Sequence, residues 1–235
     1  RNKISNNHSA THLLHESLRQ IVGQHVSQKG SFVSDRRLRF DYSSNDQLSI
    51  DLQKKVEAIV NNSIRLNIKS DVQQMSIKKA RDKGAIALFG EKYSEIVRVV
   101  SIVSEEENNV SDFKSIELCG GTHADYTGDI GMFKIMSDVS IASGVRRIEA
   151  LTGRDAEKYF DEQIHILGEI KQTLKANNEN ILEKIKILKN NASESKNKKT
   201  NEVINYSDQN IISKKNFDIY YDNLNCLPKE LRNSA

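Results

Sequence analysis

The sequence predicts an α+β fold: a two-layer domain with a mixed or antiparallel sheet and helices, then a long coiled-coil-like helix and a small truncated C-terminal segment. Three observations predict it. Apolar patterns of period 2 and period 3.6 interleave as far as Gly153 without a regular βαβ rhythm. Ten of the eleven glycines lie at or before Gly153, in turn-like places between those patterns. After Gly153 a seven-residue apolar repeat takes over and gives way to the polar run NNASESKNKKTNE. The chain therefore divides into 1–153, a domain; 154–198, a heptad helix and polar linker; and 199–235, the truncated start of a further domain.

Each element follows from its residues. Ala10, Leu13, Leu14, Leu18 and Ile21 have helical spacing over 7–26. Two short strands are predicted at SFV and RLRFDY, where Leu38, Phe40 and Tyr42 alternate with Arg37, Arg39 and Asp41. A second amphipathic helix over 51–67 is carried by Leu52, Val56, Ile59, Val60 and Ile64. Later strands are expected at IVRVVSIV, SIEL, MFKIM and VRRIEAL. Between two of them, SEEENNVSDFKS reads as an acidic surface loop.

Beyond Gly153, one seam of the heptad is Phe160, Leu167, Leu174, Ile181 and Leu188, and the other is Ile164, Lys171, Asn178 and Ile185. The polar Lys171 and Asn178 weaken such a seam and help to select its partner. Three readings stand side by side: a helix lying on its own protein, self-association through residues 160–188, or a helical hairpin with an absent partner. The last segment has short β-like pieces, VINY and FDIYY, and the single proline, Pro228. It is too small for a full core.

Composition sets limits. The 235 residues suffice for one sizeable domain with an appendage, and a first residue of Arg suggests part of a longer protein. No apolar run approaches a membrane span, so no membrane partner is expected. Cys119 and Cys226 are too few for a disulfide framework, which points to a reducing cytoplasm. With 35 Lys and Arg against 32 Asp and Glu, any nucleic acid must be held by local patches.

Two stretches carry chemistry. NNHSATHLLHESLRQ sets His8 and His12 four residues apart, one helical turn and about 5–6 Å from each other. His15 and Arg19 fall with them in a stripe about 60° wide around the helix, opposite the leucines, so the stripe is expected to face solvent or a cleft. ELCGGTHADYTGD sets Cys119 and His123 at the same spacing around two glycines, each of which costs about 1 kcal/mol in a helix. This second stretch reads as a tight turn after a strand. One thiolate and three imidazoles suit Zn²⁺. The spacing alone leaves open two unrelated pairs. Four protein ligands suit a structural site, whereas a cleft and a glycine turn suit an open one.

NHSATHLLHESLRQIVGQHVSQKGSFVSDRRLRFDYS, KGAIALFGEKYSEIVRVV and SIELCGGTHADYTGDIGMFKIMSDVSIASGVRRIEALTG occur in that order and cover nearly all of 1–153. Together they resemble the editing domain of bacterial alanyl-tRNA synthetases. The resemblance implies one Zn²⁺ per chain, held by His8, His12, Cys119 and His123. It also implies hydrolysis of the ester joining serine or glycine wrongly to alanine tRNA. Gln28 matches a position in the family's editing pocket, and Arg147 another recurrent position. The heptad helix is similar to the linker that follows this domain. ATP and Mg²⁺ belong to the family's aminoacylation core, which nothing here resembles.

Within that implied activity, the amides around Gly120, Gly121 and Thr122 are expected to donate to the developing oxyanion. Gln28 and Thr122 are expected to read the substrate's hydroxyl. Arg36, Arg37, Arg39, Arg146 and Arg147 are the expected phosphate contacts. The alternatives are a threonyl-type or freestanding editing domain, which shares both ligand pairs, and a tRNA-binding and self-association module whose zinc is purely structural.

Overall fold

Residues 1–87, 93–104 and 113–200 are described by a computed structural model, 194–200 by backbone alone, together with two later backbone strands. Most of ALFGEKY and of the acidic loop, and all of VINY and the Pro228 region, fall outside the described residues. The chain forms two compact units, Arg1–Leu167 and Gly168–Ala235.

The first unit is organised on helix α1 (Asn2–Ile21). Strands β1 (Gln28–Val33) and β2 (Leu38–Ser43) form an antiparallel hairpin, and β2 pairs with β7 (Val145–Thr152), which pairs with β6 (Phe133–Ala142). The sheet order is β1-β2-β7-β6, all antiparallel. Its inner face carries Leu38, Phe40 and Tyr42 from β2 and Ile148 and Ala150 from β7, all fully buried. Leu13, Leu14 and Leu18 of α1 pack against them, as does α2 (Ile50–Arg65) through Val56, Val60 and Ile64. Each such leucine contributes about 1.5–3 kcal/mol by leaving water. Ser49 caps α2 by accepting from the Leu52 amide, and Asn67 ends it in the left-handed region at φ 50.

A second sheet lies on the other side of α1. Strand β3 (Ser70–Ser76) pairs with β4 (Ile96–Val103), and β4 with β5 (Lys114–Leu118), again antiparallel. Helix α3 (Ile77–Asp82) covers part of its far face, over Met75, Val97, Val99, Ile116 and Leu118. The sequence reading missed both β3 and α3. DVQQM lacks a clean alternation, and α3 has only six residues, fewer than two turns. The expected two layers are present, with this smaller sheet added beside α1.

Two expectations change. Helix α1 has no solvent face over its middle: His12 is 4% exposed and His15 1%. The histidine stripe turns away from the leucine core, as the periodicity requires, but it meets β5 instead of water. The arginines of RR also part company, because neighbours on a strand point to opposite faces. Arg147 lies on the outer face. Arg146 is buried, with Nε 3.0 Å from Asp138 Oδ1. Asp138 also accepts from Tyr42 Oη and the Leu48 amide. Arg146 is therefore withdrawn as a phosphate contact.

The long helix after Gly153 is present as α4 (Gly153–Thr173), with Phe160, Ile164 and Leu167 exposed. In the second unit it ends before Lys175, at φ 48, and helix resumes as α5 (Ile181–Thr200). Asn177 Oδ1 accepts the amides of Glu179 and Asn180, so the polar seam position Asn178 falls in a capped break. Strands β8 (Ile211–Lys214) and β9 (Phe217–Tyr220) pair antiparallel. Among the described residues no helix is long and apolar enough to cross a membrane.

Removing Asp138 leaves the Arg146 charge buried and unpaired. Asp138→Ala is expected to lower the unfolding free energy by about 3–5 kcal/mol in urea titration. Asp155→Ala, at the exposed Lys3–Asp155 pair, should cost less than about 1 kcal/mol.

Candidate metal centre

The two ligand pairs meet. His8 and His12 come from adjacent turns of α1, and Cys119 and His123 from the loop that leaves β5. One nitrogen from each histidine and Cys119 Sγ all lie within 4.8 Å of one another. Sγ is 3.4 Å from His8 Nε2 and 3.3 Å from His123 Nε2. A tetrahedral zinc site, with bonds of about 2.05 Å to nitrogen and 2.3 Å to sulfur, has an N···S edge of about 3.6 Å. The set therefore fits Zn²⁺ in both chemistry and size.

Each imidazole is also held from behind, at Nδ1, which leaves Nε2 for the centre. His8 Nδ1 is 3.2 Å from the Thr122 carbonyl oxygen, so it donates there. His123 Nδ1 is 3.2 Å from Ser9 Oγ, and Ser9 Oγ accepts the Ala124 amide at 3.0 Å. His12 Nδ1 is 3.1 Å from Glu117 Oε2. Its N–H lies off the line to that oxygen, so this contact is held by charge more than by a straight hydrogen bond. Outer contacts of this kind fix ring tautomer and orientation in metal sites.

Glu117 was not singled out in the sequence. Its signal was there: it stands two residues before Cys119 in a strand, hence on the same face. Arg98 of β4 was missed as well. Its Nη1 donates to the carbonyls of Cys119 and Gly121, both at 2.7 Å, and it is the one charge in an otherwise apolar run, IVRVV.

Protonation within the cluster follows from this packing. Burial pushes the Cys119 thiol up, but hydrogen bonds from His12, His123 and His8 outweigh it and bring its pKa down to about 3. Burial opposes a charged His12, yet Glu117 and then Cys119 prevail and raise it to about 10. Burial first, then the neighbouring imidazoles, lowers His123 and keeps its lone pair available.

The two glycines of the loop differ. A Cβ on Gly121 would sit 2.0 Å from His8 Cε1 and 2.4 Å from His8 Nδ1. Nothing stands within 4 Å of a Cβ on Gly120. The carbonyls of Cys119, Gly121 and Thr122 are all engaged, while the amides of Gly120, Gly121 and Thr122 have no acceptor among the described residues. Further along the loop opens a cleft of about 280 Å³, lined by Ser5, Ser70, Arg98, Thr122, His123 and Asp125 among others.

The other expected residues belong to the first sheet and its β1–β2 turn. Gln28 opens β1, and its amide nitrogen donates to Ser31 Oγ at 3.3 Å. Arg36 and Arg37 are exposed on the β1–β2 turn, Arg37 being 3.6 Å from Glu149. Arg147 makes a two-point contact with Asp41 at 2.7 and 2.8 Å, and Arg39 Nε lies 3.8 Å from the same carboxylate. The guanidinium of Arg39 sits over the exposed Phe32 ring at 5.7 Å.

Comparison with known proteins is consistent with this arrangement. Residues 97–149 match the family described as threonyl and alanyl tRNA synthetase second additional domain. The alanine–tRNA ligase of Pseudoalteromonas translucida (strain TAC 125) is 49% identical over 188 residues, which are 80% of this chain and 21% of that protein. The chain thus spans about a fifth of the length of that relative. Both findings bear out the resemblance drawn from the motifs.

Two outcomes test the centre. Gly121→Ala should displace the His8 ring and weaken Zn²⁺ binding by on the order of tenfold or more in a competitive chelator titration, while Gly120→Ala binds as the wild type does. In metal-free protein, Cys119 should be alkylated by iodoacetamide at pH 6 nearly as fast as at pH 8, read by peptide mapping. A folded pKa below the ordinary one keeps the thiolate present until the pH falls toward about 3. An unperturbed thiol would slow by on the order of 100-fold between those pH values, and Zn²⁺ should protect Cys119 at both.

Proposed function

We propose that this chain, an alanyl-tRNA synthetase sequence carrying the editing region, hydrolyses the ester that joins serine or glycine wrongly to alanine tRNA. The observation that carries the reading is the four-donor centre set directly beside a loop of free amides, at the edge of a cleft. The reaction must position water, stabilise charge on the carbonyl oxygen, and release the terminal ribose hydroxyl. His8, His12, Cys119 and His123 hold Zn²⁺, which when bound supplies a Lewis acid that orients and polarises what reaches it.

The chain itself supplies the oxyanion donors. In a trans peptide the carbonyl of one residue and the amide of the next point to opposite sides. Arg98 draws in the carbonyls of Cys119 and Gly121, so the amides of Gly120 and Thr122 turn away from Arg98. Two donors aimed in one direction are what a developing oxyanion requires. The Gly121 amide follows the carbonyl of Gly120 and has no such constraint. Gln28 and the Thr122 hydroxyl read the hydroxyl that distinguishes serine from alanine. A pocket that bonds this hydroxyl leaves its own polar groups unpaired when alanine binds, and so rejects alanine.

Alanine tRNA is the partner, held at its phosphates by Arg36, Arg37, Arg39 and Arg147. The exposed apolar positions within 160–188 are the surface for self-association. The setting is the cytoplasm, with ATP and Mg²⁺ serving only an aminoacylation core outside this stretch. A second reading rests on the ligand count, since four protein donors are the number of a structural zinc site.

Hydrolysis of seryl-tRNA(Ala) beside alanyl-tRNA(Ala), with Zn²⁺ bound, separates the two. Fast loss of serine with alanine spared is the expected result. If neither ester is cleaved at high protein concentration, the structural reading holds. Gln28→Ala should narrow the serine preference by at least tenfold; an unchanged ratio removes Gln28 from substrate recognition.

A further inference from the structure

Glu117 serves two histidines, only one of which belongs to the metal centre. Its Oε2 faces His12 Nδ1 at 3.1 Å, and its Oε1 accepts from His15 Nδ1 at 3.0 Å. His15 lies one turn further along α1, is 1% exposed, and packs its ring against Phe40 with centroids 5.3 Å apart. Its Nε2 is buried with no hydrogen-bond partner among the described residues. The ring therefore makes a single polar contact, and that contact is to Glu117.

That is a costly way to fill space. A leucine would occupy the same position without desolvating an imidazole. The contact makes sense through the carboxylate. Glu117 is 6% exposed, and its side chain has three rotatable bonds. Among the described residues its other hydrogen-bond donor is Ser115 Oγ, at 3.4 Å, and the Glu16 carboxylate is near enough to repel it. Without His15, Oε1 loses its best donor and the carboxylate is free to swing off His12. Phe40 and the surrounding core hold the His15 ring, so His15 can in turn hold Glu117.

We propose that His15 is a positioning residue for the metal centre: through Glu117 it fixes the His12 ring with Nδ1 to the carboxylate and Nε2 toward Cys119. The order of support runs from the hydrophobic core to Phe40, His15, Glu117, His12 and the metal. This rests on the metal-site reading above, and its consequences are separable from catalysis because they appear in metal affinity.

The test titrates metal-free protein with Zn²⁺ against a chelator, and with Co²⁺ followed by visible absorption. Wild type is compared with His15→Leu, which keeps bulk, and with His15→Asn, whose amide nitrogen stands where Nδ1 stood. Loss of an outer contact of this kind costs roughly 10–100-fold in metal affinity, so His15→Leu should bind Zn²⁺ at least about tenfold more weakly and His15→Asn within about threefold of wild type. The Co²⁺ spectrum should change with leucine and return with asparagine.

A His15→Leu protein with wild-type affinity and an unchanged Co²⁺ spectrum overturns the proposal, whatever happens to its Tm. Should His15→Leu fail to fold, His15→Asn is compared with His15→Gln, whose amide sits one methylene further out. Weaker binding by glutamine supports the proposal, and equal binding overturns it. Wild type that binds neither metal sinks the site reading and the proposal together. Wild type that binds while the variants match it sinks the proposal alone.

Discussion

Between Ser5 and Leu18, α1 gives almost no side chain to solvent, because a sheet packs against each side of it. Every polar group on that stretch must therefore find a partner within the protein. Thr11 and Ser17 bond back to the carbonyls of Asn7 and Leu13. Asn7 reaches out instead: its amide donates to the Ser34 carbonyl, and its Oδ1 accepts from Thr152 Oγ1 at 2.7 Å. Ser9 takes the Ala124 amide and meets His123. The polar residues of the helix are thus fasteners to the β1–β2 turn, β7 and the ligand loop.

That burial also explains why the ligands can come from stretches more than a hundred residues apart. Closing so long a loop costs entropy, though the cost grows only slowly with length. Packing of α1 against β5 brings the two halves together before any metal is considered. A metal that binds only the folded arrangement would then add to stability with the logarithm of its free concentration above its Kd. The carboxylate of Glu117 sits at that junction. Acid works against it: burial raises its pKa, but His12 and His15 more than offset this and hold it below its ordinary range, so its contribution is present above the ordinary carboxylate pKa and is lost as the pH falls through the folded value.

How much of this was legible in the sequence depended on whether the signal was local. The strand IVRVVSIV coincides with Ile96–Val103, and the alternation of Leu38, Phe40 and Tyr42 marks β2 correctly. The grouping of His8, His12, Cys119 and His123 was legible because each pair is local and chemically distinctive. The direction of the histidine stripe was not, since a helical wheel separates faces without saying whether a polar face meets water or a second sheet. Arg146 and Arg147 were grouped because adjacent charges look like a patch, although the pleat sends them to opposite sides. The break at Lys175 was hidden by a heptad that continues in register through a turn, its apolar positions Leu174 and Ile181 standing at the two ends of that turn.

The loop after β5 unites the two halves of the proposed chemistry. The carbonyls of Cys119 and Gly121 face Arg98, and the amides of Gly120 and Thr122 are thereby turned the other way. Arg98 thus orients the Thr122 amide through the Gly121 carbonyl, while the Thr122 carbonyl holds the His8 ring. The adjacent glycines divide the steric work. Gly121 is needed because the His8 ring lies where a side chain would start. Gly120 has open space there, so no neighbour demands its missing side chain, and under the proposed chemistry that space would let a substrate carbonyl approach its amide. A sequence motif that looks like simple flexibility is instead two different positions side by side, one closed by the His8 ring and one open to its surroundings.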